Sequence, residues 1–263
     1  MQQAAKKQLI GMIHVGALPG TPGARLSPTE IARHAAVEAR TFREAGFDGV
    51  LIENMHDAPY LARTAGPEIV ATMSVAAMAV KAEFPGLTGI QILAGANEQA
   101  VAVAHACGLD FVRAEGFVFG HLADEGWMDA CAGPLLRYRK NIGAEDVEIW
   151  ADIKKKHSSH VVTSDVTLVE TSHAAAFFGA DAVIVTGRVT GDAPIAGDFE
   201  GLRDAGLPVV IGSGVTTENL HGFSPLADVF IVGSSLKTGG VWSNELDPVA
   251  VEAMAKVAKG LFS

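Results

Sequence analysis

Eight short apolar runs rich in β-branched residues recur along the chain: LIGMIHV, DGVLIEN, LTGIQIL, LDFVRAE, VEIWADIK, ADAVIVTG, LPVVIGSG and ADVFIVGS. Stretches of helical spacing separate them. No other feature narrows the fold as much. A strand that is apolar at every position must be covered on both faces, and helices returning between parallel strands supply that cover. The junctions repeat as well, since AGFDGV, CGLDFV and FGADAV each stop a helical stretch at Gly and open the next run with Asp.

About eight βα units within 263 residues predict a single-domain α/β fold, a (β/α)8 barrel of the TIM type spanning 1–263. An open Rossmann-like sheet is the runner-up, but no G-x-G-x-x-G follows the first run, and no cofactor is expected. Residues 9–14 and 227–234 are expected to pair and close the barrel. Helices are expected over 28–45, 66–83, 98–107, 128–142, 168–178, 199–205, 217–223 and 248–261. The first shows the logic, with Ser27 as cap, Pro28 at N1, Glu30 completing an S-x-x-E box and Gly46 as a left-handed stop.

Composition adds exclusions. Hydrophobic residues make up 49% and aromatics only 6%, which suits a large core of closely packed strands and helices. A net charge of −10 argues against nucleic acid as a partner, because phosphate neutralisation needs clustered Lys and Arg. The longest weakly polar run, 69–80, is too short to span a bilayer and contains Thr72 and Ser74, so no transmembrane segment is expected. Cys107 and Cys131 are the only cysteines, and no secretory leader is evident; a cytoplasmic protein with free thiols is the expectation. A homo-oligomer is compatible with all of this.

In such a barrel the chemistry sits at the carboxyl ends of the strands. There the sequence places His14, Glu53 with Asn54, Arg113 with Glu115, Asp152 with Lys154, and Thr186. Alternation puts Arg113 and Glu115 on one side, and likewise Asp152 and Lys154. Glu53, Asp152 and Lys154 are the expected catalytic groups, an Asp-x-Lys pair being suited to moving a proton. His14, Asn54, Asp57, Arg113, Glu115 and Thr186 are expected to contact the substrate. Each has a plainer reading: Glu53 as a carboxylate binding loop N–H groups, His14 as a satisfied barrel-top histidine, Arg113 and Glu115 as partners of each other. Lys155 is expected to point to the opposite face and Lys156 to lie near the loop. His157 and His160, taken with His56 and Asp57, match no metal signature, and no metal is expected.

The seventh and eighth runs lead into GSGVTTEN at 212–219 and VGSSLK at 232–237. Small residues let backbone approach an anion, and these loops are the recurrent phosphate site of the barrel fold. Gly212, Ser213, Gly214, Gly233, Ser234 and Ser235 are therefore expected to grip a phosphate. The alternative is that the glycines only make tight turns.

MIHVGALPG, DGVLIENMHDAPY, GPEIVATM, ADAVIVTGRVTG, VVIGSGVTTENL and ADVFIVGSSLK together resemble the BtpA/SgcQ family over nearly the whole chain. The resemblance implies a TIM barrel related to ribulose-phosphate-binding enzymes. The family is named for a protein of photosystem I biogenesis, whereas other members look like enzymes of carbohydrate or nucleoside catabolism. GIQILAGAN departs from an NVLRN-type third strand, so Leu93, Ala94 and Gly95 supply no charge there. The leading functional reading is an enzyme acting on a small phosphorylated sugar or ribosyl compound through isomerase-, epimerase- or aldolase-type proton transfer. Glycosidic or N-ribosyl cleavage, and a non-enzymatic assembly factor, are the alternatives.

Overall fold

The computed structural model describes residues 7–187 and 191–262. Arg188, Val189 and Thr190, part of the ADAVIVTGRVTG motif, lie outside the described residues. In chain order the elements are β1 (Gln8–His14), α1 (Pro28–Ala45), β2 (Gly49–Glu53), α2 (Pro67–Glu83), β3 (Leu87–Gln91), α3 (Asn97–Cys107), β4 (Phe111–Ala114), β5 (His121–Ala123) and β6 (Gly126–Met128). They continue with α4 (Ala132–Asn141), β7 (Glu148–Asp152), β8 (Ser158–Ser159), α5 (Leu168–Phe177), β9 (Ala182–Val185), β10 (Val209–Ile211), α6 (Leu220–Phe223), β11 (Val229–Val232) and α7 (Pro248–Leu261).

Eight strands form a closed parallel barrel in the order β1-β11-β10-β9-β7-β4-β3-β2. The closing pair is the expected one, with Gln8 beside Val229 and Gly11 beside Val232. The capping box on α1 is present in full, Ser27 accepting from the Glu30 N–H while Glu30 accepts from the Ser27 N–H, and Gly46 ends the helix in the left-handed region. α7 matches its expected span and is capped by Asp247.

Inside the barrel, Ile10, Met12, Leu51, Phe111, Trp150 and Ile184 belong to one buried apolar cluster, separate from the larger core between strands and helices. Phe111 and Trp150 stack with ring centroids 3.8 Å apart. Space for that stack depends on Gly89, since a Cβ there would lie 2.2 Å from the Phe111 ring.

Three helical stretches are shorter than expected. The 199–205 stretch is two 3-10 turns, Ala196–Phe199 and Leu202–Ala205, because Gly201 adopts φ 77°, which interrupts any continuous helix. Before α6, Asn219 accepts from the Thr216 N–H and donates to the Gly214 carbonyl, holding the chain in a turn where a helix would otherwise start. The expected start of α4 at 128 falls instead in β6. There β5, β6 and β8 make a small antiparallel sheet, in the order β6-β5-β8, from the loops after β4 and β7. Among the described residues no helix is long and apolar enough to cross a membrane.

Gly89→Ala is expected to destabilise the fold by about 1–3 kcal/mol through overpacking. Paired with Phe111→Leu, part of that loss should return, which thermal or urea unfolding of the single and double variants would test.

Candidate active site

Alternation along the strands builds the site. Two residues beyond inward-facing Met12, Leu51, Gly89, Phe111 and Trp150 come His14, Glu53, Gln91, Arg113 and Asp152, so a polar layer lies directly above the apolar interior. His14, Glu53 and Gln91 stand in register across β1, β2 and β3. Above them opens a cavity of about 250 Å³, to which Glu53, Gln91, Arg113, Glu115, Asp152, Lys155 and Lys156 contribute. Sites for drug-sized ligands are typically about 300–1,000 Å³, so this one is sized for a small metabolite.

Buried ion pairs organise the layer. Arg113 Nε donates to Asp152 Oδ2 at 2.9 Å and Nη2 to Oδ1 at 3.0 Å, a bidentate pair. Next to the pair, the chain packs so closely against β9 that position 212 has no space for a side chain, since a Cβ there would sit 2.5 Å from Ile184 and 3.1 Å from Thr186. His14 Nε2 lies 3.3 Å from Glu53 Oε2. Burial acts to raise the Glu53 pKa, but the hydrogen bond and charge of His14, with Arg113 and Lys156 behind, outweigh it and lower the carboxyl to about 2. Glu115 goes the other way. Burial raises its pKa, and the opposing pull of Lys155 and Arg113 does not cancel that.

Lys154 departs from its expected place. β7 ends at Asp152, and Lys154 turns the backbone with φ 49°, so period-two alternation stops before reaching it. Its ammonium donates to the Thr163 carbonyl at 3.2 Å, in a recess beside His121 and Thr171 and away from the cavity. The neighbours expected to face elsewhere enter instead. Lys155 Nζ is 3.2 Å from Glu115 Oε1 and 3.8 Å from Glu125 Oε2. Lys156 borders the cavity, and burial, followed by the charge of Arg113, lowers its pKa against the pull of Glu53, Asp152 and Glu115.

Asn54 and Asp57 do not line the cavity. Asn54 Nδ2 donates to Asp57 Oδ2 at 2.7 Å, Asn54 Oδ1 accepts from the Leu93 N–H, and Asp57 Oδ1 accepts from the Leu18 N–H. The pair therefore clamps the loops after β1, β2 and β3. Thr186 faces a separate recess beside Ser158, His160 and Asp192. An arginine does reach the corner where Leu93, Ala94 and Gly95 carry no charge. Arg63, from the loop after β2, donates to the carbonyls of Gly95, Glu115, Gly116 and Asp129.

At the opposite end the cavity meets a narrow recess lined by Gly212, Ser213, Gly214, Gly233 and Ser234, with His14, Arg113 and Lys156 at its edge. The Ser213 hydroxyl is already engaged, accepting from the Gly187 N–H and donating to the Asp192 carbonyl, each at 2.9 Å. Ser235 does not line the recess; its hydroxyl donates to the Val215 carbonyl. The recess is thus walled largely by glycine backbone, with the side chains of His14, Arg113 and Lys156 at its edge.

Several lining residues were not among the expected ones. Gln91 follows from the same alternation that found Glu53, two residues past Gly89. Lys155 and Lys156 sit in the run KKKH, which gives no sign of where the strand ends. Asp124 and Glu125 come from the β5–β6 turn, and Tyr60 and Trp242 from loops, with no periodic signal in any of them. Among the described residues, no group of three His, Cys, Asp or Glu side chains is arranged to hold a metal.

The lowered Glu53 pKa has a defined pH signature. A carboxyl whose folded pKa lies below its ordinary 4.5 stabilises the fold above that value and loses the contribution as pH falls toward about 2. Glu53→Gln is expected to lower the Tm at pH 7, and the gap from the unaltered protein should narrow between pH 4.5 and 2. A gap constant across that window in a pH series of thermal melts would contradict the assignment.

The closed barrel has solved counterparts. KGPDC from Streptococcus mutans, solved in complex with a phosphorylated sugar, superposes with a TM-score of 0.59 over 98% of this chain and 99% of its own. At 13% identity that likeness concerns the fold alone. A Caenorhabditis elegans protein described as uncharacterized and mitochondrial is 49% identical over 96% of this chain and 93% of its own. The photosystem I biogenesis protein BtpA of Synechocystis is 31% identical over 97% of this chain and 89% of its own. The BtpA family model matches residues 5–260, and the chain belongs to the BtpA family.

Proposed function

We propose that this protein is an enzyme that moves a proton beside the carbonyl of a small phosphorylated sugar or ribosyl compound. The observation that carries the reading is the position of Lys156, which borders both the main cavity and the glycine-lined recess. A phosphate held on the backbone of Gly212, Gly214, Gly233 and Ser234 would place the carbon chain of the ligand along the carboxylate layer. KGPDC, a barrel of the same architecture, was solved with a phosphorylated sugar, which supports this choice of ligand class.

In the proposed reaction a base on the protein takes the proton of a C–H bond next to the carbonyl, the C–H electron pair forms a carbon–carbon double bond, the carbonyl π pair moves to the oxygen, and the resulting enediolate takes a proton back. Groups that exchange protons near neutrality are needed, and opposite pKa shifts divide the roles. Glu115, with its raised pKa, and Lys156, with its lowered one, are the proton carriers. Glu53 remains ionised and, with the Arg113–Asp152 pair, fixes the field around them. Cytoplasmic placement and assembly as a homo-oligomer belong to the same proposal.

A second reading has its own support. A protonatable Glu115 and an ionised Glu53 on one cavity also fit glycosidic or N-ribosyl cleavage, in which one carboxyl protonates the leaving group and the other stabilises the sugar cation.

Incubating pentose and hexose phosphates in D2O and following the C–H beside the carbonyl by NMR tests the first reading. Solvent deuterium should enter at least one substrate, with the rate falling about 10²–10⁴-fold in Lys156→Met and Glu115→Gln. Absence of exchange across the panel, or full exchange by Lys156→Met, would overturn it; release of a free pentose phosphate from a ribosyl conjugate would favour cleavage.

A further inference from the structure

The cavity wall opposite the recess carries acceptors with nothing to accept. Gln91 Oε1, Glu115 Oε2 and Glu125 Oε2 are buried and make no hydrogen bond, and all three residues line the cavity. Gln91 is 2% exposed and Glu115 7%. Buried acceptors left open cost about 1–3 kcal/mol each, and more when charged, so three around one cavity mark a place where a ligand supplies the donors. Alternation explains why Gln91 and Glu115 share the wall: they lie two residues past inward Gly89 and Arg113. Glu125 is brought in by the β5–β6 turn, which exists only because the loop after β4 folds into the small sheet.

The donors expected are hydroxyl groups. Lys155 Nζ stands 3.2 Å from Glu115 and 3.8 Å from Glu125, so one ammonium already offsets much of the charge of the two carboxylates. A wall so compensated gains little from a second cation. It still offers acceptors beside an ammonium with three donor hydrogens. That is the arrangement a vicinal diol satisfies, each hydroxyl donating to a carboxylate or amide oxygen while accepting from the lysine.

We propose that Gln91, Glu115 and Glu125, with Lys155, form a polyol subsite that selects ligands with adjacent free hydroxyls at the end remote from the glycine-lined recess. The orientation rests on the phosphate reading given above; the subsite itself does not.

Calorimetric titration with matched pairs separates the two. The probes are ribose 5-phosphate against 2-deoxyribose 5-phosphate, glucose 6-phosphate against its 2-deoxy form and against glucosamine 6-phosphate, and ribose without phosphate. At least one hydroxylated phosphate should bind about tenfold or more tighter than its deoxy partner. Gln91→Leu and Glu125→Ala should each bring that ratio toward one, and Glu125→Gln, which keeps an acceptor oxygen, should largely preserve it. Glu125 lies on a turn, so its variants do not depend on barrel packing. Equal binding of hydroxylated and deoxy phosphates, or an unchanged ratio in Gln91→Leu and Glu125→Ala, would overturn the subsite and leave the phosphate reading standing. Ribose binding as tightly as ribose 5-phosphate would leave the subsite standing and count against the phosphate reading. Glucosamine 6-phosphate binding more tightly than glucose 6-phosphate, with the preference lost in Glu125→Gln, would make the wall a cation site and overturn the proposal. Failure of every probe to bind would overturn both.

Discussion

The buried pair between Arg113 and Asp152 is the interaction on which the mouth of this barrel depends. Arg113 is the fixed cation of the layer, and it lies within electrostatic reach of Glu53 and Glu115 as well as its bidentate partner. Without it, Glu53, Glu115 and Asp152 would be carboxylates brought close together with little water to screen them. Replacing such a pair by apolar residues is often neutral or stabilising, whereas removing one partner strands a charge at a cost of about 3–5 kcal/mol. Stability alone therefore does not account for a charged layer here.

The proton affinities of the site follow from where each carboxylate stands relative to that cation and its neighbours. Glu53 has His14 in contact and Lys156 nearby, and its pKa falls despite burial. Glu115 is buried to a similar degree, but Asp152 adds to the burial penalty, and Lys155 is shared with Glu125. Two glutamates lining one cavity thus become chemically distinct through their neighbours alone. Burial likewise separates the adjacent lysines of KKKH. Lys154 caps a carbonyl, Lys155 bridges acids, and Lys156 is left as the ammonium whose charge the protein disfavours.

What the sequence made legible is whatever follows from period and punctuation. The barrel, its closing pair, the box at Ser27 and Glu30, and the inward placement of Glu53, Arg113, Glu115 and Asp152 all come from alternation or caps, which act within a few residues. Legibility ended where a strand ended. Nothing in DIKKKH announces that Lys154 takes φ 49°, and one residue of miscounting moves a side chain to the opposite face. Asn54 and Asp57 were misplaced for another reason: their partners, Leu93 and Leu18, lie 39 residues away on neighbouring loops, so their clamp is a product of barrel closure. The small sheet of β5, β6 and β8 has the same origin, because Ser158 and Ser159 pair with a segment far earlier in the chain.

The names attached to similar proteins point in different directions, and the physics of the layer bears on them. One relative is named for photosystem I biogenesis. A barrel used only as a surface for assembly presents its outer helices and loops, and its interior layer could be apolar at no cost to that use. Apolar surface is available here, since Leu122 and Trp127 are exposed cross-strand neighbours on the small sheet and Phe177 is exposed at the end of α5. Such residues are compatible with a binding partner, but they do not call for Glu53 and Glu115 to differ in proton affinity within one cavity. Opposite shifts on neighbouring acids are costly to maintain and gather where protons are moved. An assembly role, where a relative has one, is therefore most economically carried by the outer surface, which leaves the polar layer free for the chemistry proposed above.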